Sequence, residues 1–82
     1  VNKGAKEISI ETPLAGRIIE VRVQVGDVVE ENDAVVILEA MKMEIPIVAP
    51  VSGTIKVVNV SAGQTVEGNT VLAVLDESNY EG

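Results

Sequence analysis

One stretch of this chain joins residue types that could do chemistry to a setting that would present them: Glu39-Ala40-Met41-Lys42-Met43-Glu44. Its centre is a lysine between two methionines. A primary amine is a nucleophile once deprotonated and a site for covalent attachment of a carboxylic acid as an amide. By itself a turn lysine is an ordinary solvated charge. What sets this one apart is its neighbours. Hairpin turns favour Asn-Gly or Asp-Gly, and two large apolar side chains in an exposed turn are wasted unless something packs on them or reads them. Met41 and Met43 could also be core filler, since they share strand parity.

Little else in the sequence competes. There is no His and no Cys, so the commonest general base, the commonest metal ligand, thiolate chemistry and a Ser-His or Cys-His nucleophile are all missing. Glu30, Glu31 and Asp33 cluster, but without the D-x-[DN]-x-[DN]-G spacing of a calcium loop. In a polar loop nothing would shift their pKa toward acid–base work. The seven glycines are scattered, mostly as turn punctuation, and form no phosphate-binding loop. No metal site and no catalytic residue is therefore expected.

Composition then says what must hold the lysine. Eighty-two residues make one domain with a small core. Phe and Trp are absent and Tyr80 is the sole aromatic, so the core must be Val, Ile, Leu, Met and Ala. The excess of Val and Ile favours strands. A net charge of −7 disfavours nucleic acid as a partner. It serves solubility and would suit basic patches on partner enzymes. No apolar run approaches the ~20 residues of a membrane helix, so no membrane insertion is expected, and no signal-peptide pattern opens the chain. A cytoplasmic setting is the expectation. The first residue is Val rather than Met, and the chain is expected to be processed, trimmed or cut from something longer.

Along the chain, residues 1–6 and 78–82 read as tails and 7–77 as the folded unit. Strands are expected at Glu7–Thr12, Arg17–Val25 (with Ile19, Val21, Val23 and Val25 on one face), Val28–Val29, Ala34–Glu39 and Met43–Val48. Pro13 to Gly16 and Gly26-Asp27 are turns, and Pro46 places its segment at a sheet edge or at a solvent-facing ladder position. The pattern then starts again. Thr12–Ala40 superposes on Ala49–Glu77 at an offset of 37 without a gap: Pro13 on Pro50, Gly16 on Gly53, Ile18 on Ile55, Gly26 on Gly63, Asn32 on Asn69, Leu38 on Leu75. That is an internal repeat. Ile19 falls on Lys56, and a bulge between Ile18 and Val21 would explain the broken alternation. The repeat predicts an all-β flattened barrel or sandwich: two four-stranded antiparallel halves face to face about a pseudo-twofold axis, with no helix. Lys42 plus or minus 37 gives Asn79 and Ala5, so symmetry places the chain ends at the pole opposite the lysine.

Glu39-Ala40-Met41-Lys42-Met43, the Pro50-Val51-Ser52-Gly53 that follows, the Gly26 and Gly63 turns and the repeat together resemble the biotinyl domains of biotin-dependent carboxylases, decarboxylases and transcarboxylases. The resemblance runs from about Ile8 to Asp76. It implies the biotinyl/lipoyl-carrier fold and a non-catalytic carrier. Biotin would be joined by an amide to Lys42 and would swing CO2 between a biotin carboxylase and a carboxyltransferase or decarboxylase, after loading by a biotin protein ligase. Met41 and Met43 would be the flanking residues that help those enzymes accept the arm. Glu39 and Ala40 match the motif's approach strand, where Ala leaves room and Glu helps distinguish ligases; the plainer readings are a solvated face and strand filler. The Gly26 turn is as short as its copy at Gly63, which points to the thumbless carriers of pyruvate, propionyl-CoA, methylmalonyl-CoA and sodium-pump decarboxylase systems. Two alternatives stand beside this. One is a lipoyl carrier, which usually has Asp-Lys-Ala where this chain has Met41-Lys42-Met43. The other is an unmodified β-sandwich interaction module.

Overall fold

The computed structural model describes residues 6–77. The expected tails, Lys6 excepted, lie outside the described residues, as do Ala5, Asn79 and Tyr80. Eight strands follow one another: β1 (Glu7–Glu11), β2 (Gly16–Val21), β3 (Val28–Val29), β4 (Ala34–Ala40), β5 (Met43–Val48), β6 (Gly53–Val58), β7 (Thr65–Val66) and β8 (Val71–Glu77). They form two four-stranded antiparallel sheets, ordered β1-β8-β6-β3 and β5-β4-β2-β7. Among the described residues there is no helix.

The twofold relation is written in the backbone hydrogen bonds. Gly26 N–H donates to Ile55 C=O and Gly63 N–H to Ile18 C=O; Ile55 N–H donates to Asp27 C=O and Ile18 N–H to Gln64 C=O. Each member of one pair is the other plus or minus 37. The same holds for Asn32 N–H to Ala49 C=O and Asn69 N–H to Thr12 C=O. The repeat is also longer than the sequence match suggested. Strand β5 is the counterpart of β1, so residues 6–40 map onto 43–77. The structure corrects one detail: the two sheets are not the two sequence halves. Each sheet takes two strands from each half, β1 and β3 with β6 and β8, and β2 and β4 with β5 and β7. Strands β3 and β7 have two residues each, and neither half could form a stable sheet by itself.

Bulges sit where the repeat predicts them. Register shifts between Ile18 and Glu20 against β4, and between Ile55 and Val57 against β8. Ile19 and Lys56 are the extra residues and both are exposed. This is why one position tolerates Ile in one half and Lys in the other. It also corrects the expected face: Ile19 and Val25 are exposed, Val21 is half-buried, and the core residues of this segment are Ile18 and Val23. Strand β2 ends at Val21, short of the expected Val25. A second bulge pair makes Val35 and Leu72 extra in β4 and β8. Each is buried beside another buried residue, Val36 and Ala73. The two strands that carry this second pair, β4 and β8, are the most buried, with Leu38 and Leu75 also in the core.

On the outer face of the first sheet Lys56 Nζ donates to Glu7 Oε2 at 2.7 Å and lies 3.8 Å from Asp76 Oδ1. The Glu7 hydrogen bond, then the Asp76 and Glu7 charges, raise the Lys56 pKa above its ordinary value. The cluster ties three strands together, but solvent screens it and its net contribution is small.

The hairpin that presents Lys42

Strands β4 and β5 are joined by a two-residue turn, Met41-Lys42. Both residues are left-handed, with φ of 53° and 64°. Consecutive positive φ at the two central positions is the type I′ hairpin, whose twist matches that of the flanking strands. Neither residue is suited to it. A side chain with a Cβ costs roughly 1–2 kcal/mol per residue in this region, so the turn stores strain at the one lysine of interest. Replacing Met41-Lys42 by Asn-Gly (M41N with K42G) is expected to stabilise the domain by about 1–2 kcal/mol, read as a higher midpoint of denaturant unfolding. An unchanged or lower midpoint would show that the turn is unstrained.

Met41 and Met43 are 85% and 63% exposed, so neither is core filler. Lys42 is exposed, and its side chain enters no ion pair or hydrogen bond among the described residues. The donor set fits an amide-linked group: a primary amine clear of its own fold, on a rigid turn, with two adaptable apolar side chains beside it. Ala40 is buried and pairs with Met43, closing the ladder directly beneath the turn. Glu39 is exposed on the outer face.

Two residues of this end, both named in the sequence, do something there that the sequence reading did not assign. Glu44 lies directly across from Glu39 in the β4–β5 ladder, and both are exposed. Like charges facing each other across a ladder are destabilising. Arg17 flanks Glu39 from β2, yet it is not among the ion pairs of the described residues. The signal was available, because any two-residue turn at Met41-Lys42 pairs 39 with 44. Gly16 is the other. It does not have positive φ, so it is not the turn glycine the sequence suggested. A Cβ there would collide with the Glu39 carbonyl oxygen and meet Leu38 Cδ1 at 3.1 Å. Its lack of a side chain lets β2 lie against the strand that carries the lysine. The loop before it is fixed by Thr12, fully buried, whose hydroxyl donates to Leu14 C=O at 2.7 Å and accepts from Leu14 N–H at 3.3 Å.

The open end of the molecule is the counterpart of this hairpin. Glu77 N–H donates to Lys6 C=O at 2.8 Å, and 6 and 77 are the equivalents of 43 and 40. The two ends lie at opposite poles. Strand β5 runs six residues away from the turn, about 17 Å between its terminal Cα atoms. The link 49–52 then enters β6 at Gly53, which pairs with Glu77.

The acidic loop is put to structural use. Asp33 Oδ2 accepts from Glu30 N–H at 2.9 Å, and Asp27 Oδ2 accepts from Gln24 N–H at 2.9 Å. Among the described residues no group of three or more His, Cys, Asp or Glu is placed to hold a metal ion. The turn at Gly26, with Asp27 N–H donating to Gln24 C=O, matches that at Gly63, with Gln64 N–H donating to Ser61 C=O. Neither carries an insertion.

Comparison with known proteins agrees with this geometry. Two curated relatives are similar over part of the chain. The glutaconyl-CoA decarboxylase subunit gamma of Acidaminococcus fermentans is 45% identical over 40 residues, 49% of this chain and 28% of the relative. The biotin carboxyl carrier protein of Streptococcus mutans is 53% identical over 36 residues, 44% of this chain and 28% of the relative. The aligned stretches thus span under a third of either relative. A solved single-chain, multi-domain long-chain acyl-CoA carboxylase superposes with a TM-score of 0.85 at 30% identity, over 96% of this chain and 8% of that one. The profile of the biotin/lipoyl family, described as "Biotin-requiring enzyme", matches residues 8–75, and the chain belongs to that family.

Proposed function

We propose that residues 7–77 form a biotin carboxyl carrier domain of a biotin-dependent carboxylase or decarboxylase, with Lys42 as the attachment site. The observation that carries this reading is the left-handed Met41-Lys42 turn, which projects an amine unpaired among the described residues between two exposed methionines at the pole away from Lys6 and Glu77. A group attached there is tethered but free to sweep, and tethering raises its concentration at partner sites to the order of mM without new contacts. Biotin, when bound, supplies a ureido nitrogen that holds a carboxyl group in transit between two active sites.

The chain's own residues do the rest. The type I′ turn fixes where Nζ leaves the fold. Met41 and Met43 offer polarizable apolar surface to the enzymes that receive the arm. Glu39 and Glu44 make an acidic flank that favours a basic docking surface and speeds encounter. Amide formation removes the Lys42 charge, which leaves the end more acidic still. The partners that fit are a biotin protein ligase, a biotin carboxylase and a carboxyltransferase or decarboxylase. A lipoyl carrier is not favoured, because one named relative is a biotin carboxyl carrier protein and the other a decarboxylase subunit, and the turn has Met41 where lipoyl turns usually have Asp.

The test is the intact mass of the domain after co-expression with its biotin protein ligase and free biotin. The expected result is a gain of one biotinyl group, absent in Lys42→Arg. No gain, with the ligase active on another acceptor, would overturn the reading.

A further inference from the structure

The two sheets each end in a long edge strand, β5 in one and its repeat counterpart β1 in the other. The two edges differ at one residue. Pro46 of β5 and Ser9 of β1 are equivalent: Pro46 pairs with Ile37, and Ser9 with Val74. The phase of the β1 ladder follows from its end. Glu77 N–H bonds Lys6 C=O, so Lys6–Glu77 is a hydrogen-bonded pair and Glu7–Asp76 is not. Alternation then makes Ser9–Val74 another non-bonded pair. At the other end Thr12 N–H bonds Thr70 C=O, which puts Glu11–Val71 in the same class. The N–H and C=O groups of Glu7, Ser9 and Glu11 therefore all point away from β8, toward the open edge. The bulge in this ladder lies on β8, where Leu72 is extra, and β1 itself is regular.

On β5 the central outward donor is missing, because Pro46 has no N–H. That blunts the edge against strand addition. On β1 the donor is intact, and the side chains of Glu7, Ser9 and Glu11 are all exposed on one face. Pairing with a second copy is disfavoured, since antiparallel contact centred on Ser9 sets Glu7 against the other copy's Glu11 twice. Lys56 is shared by two carboxylates, Glu7 and Asp76, and Glu11, at the other end of the strand opposite Val71, enters no ion pair among the described residues. One Asp76 oxygen, Oδ1, is buried without a hydrogen-bond partner.

We propose that the β1 edge is a docking strand for an extended basic segment of a partner chain. The segment adds a fifth strand beside β1, with two cationic side chains four residues apart facing Glu7 and Glu11. Main-chain hydrogen bonds to Glu7, Ser9 and Glu11 supply affinity, and the two charges select the partner. This surface is independent of the Lys42 hairpin and does not rest on the carrier reading.

The probe is the synthetic peptide acetyl-Thr-Lys-Val-Thr-Val-Lys-Thr-amide, titrated into the unmodified domain and followed by calorimetry and amide hydrogen exchange. The expected result is saturable binding with protection of the Glu7, Ser9 and Glu11 amides, weakened at least tenfold in Ser9→Pro. Pro46 shows that the fold accepts proline at the equivalent place. Glu11→Lys leaves the ladder untouched and is expected to weaken binding similarly and to remove much of its salt dependence. The proposal is overturned by any of four results: no binding, equal binding of a peptide with Glu for both Lys, unchanged binding in both variants, or protection of β1 by self-association of the domain alone.

Discussion

Exchanging Met41 and Lys42 in place (M41K with K42M) is expected to slow loading by a biotin protein ligase at least a hundredfold while leaving the domain folded. Composition, net charge and the exposure of the turn are all preserved. What changes is the direction in which Nζ leaves the hairpin. Met41 and Lys42 occupy the two central positions of a type I′ turn, with φ of 53° and 64°, and their Cα–Cβ vectors diverge. An enzyme that must bring an amine to within about 3–3.5 Å of an activated carboxyl carbon in a fixed frame loses about 100-fold for a displacement of about 1 Å. Here the amine moves by a whole residue. Parent and variant both keep a Cβ at each left-handed position, so the strain is unchanged and the midpoint of thermal unfolding should be close to that of the parent. The measurement is a time course of intact mass with purified ligase. Equal rates would mean that the ligase reads only an exposed lysine next to methionine, and the fixed turn would then have no part in selecting Lys42.

Much of this was readable in the sequence because it is written twice. The strands of the second half, the Gly63 turn and the bulge near Ile19 followed from matching one half to the other, and the edge position of Pro46 from its missing N–H. What the match could not show was how the halves combine. The repeat gives equivalence, not pairing, and the pairings that cross between halves join strands far apart in the chain. Contact at Gly16 was hidden for the same reason. A glycine after Pro13-Leu14-Ala15 reads as a turn, and only the neighbouring strand reveals that the Glu39 carbonyl occupies the place of a side chain. Val25 was misassigned because alternation was carried past the point where β2 ends. The lysine turn was legible because its residues contradict turn preference. Local conflict of that kind is where sequence reasoning points to function.

The second large effect is expected at Gly53. A Cβ on this residue would collide with the backbone oxygen of Asp76 and lie 2.8 Å from Leu75 Cδ1. The first contact is with main chain, which has no rotamer through which to yield. Gly53 pairs with both Val29 and Glu77, so β6 cannot move away without opening a ladder on each side. Leu75 is fully buried, so its side chain can shift only by displacing the core. Gly53→Ala should therefore fall at the upper end of overpacking substitutions, about 3 kcal/mol. In a domain of this size that is a fall of roughly 12–24 °C in Tm. Gly16→Ala meets the equivalent carbonyl, that of Glu39, and should cost a similar amount. The pair separates stability from presentation. Gly16 lies beneath the strand that leads into Met41, so its variant should be loaded more slowly even well below its own Tm. The Gly53 variant strains the other pole and should be loaded at the parent's rate. Measuring both by thermal unfolding and by ligase time course decides the point. If the two variants load alike, the backing of β4 by β2 does not set the position of Lys42, and the turn holds the lysine by its own geometry.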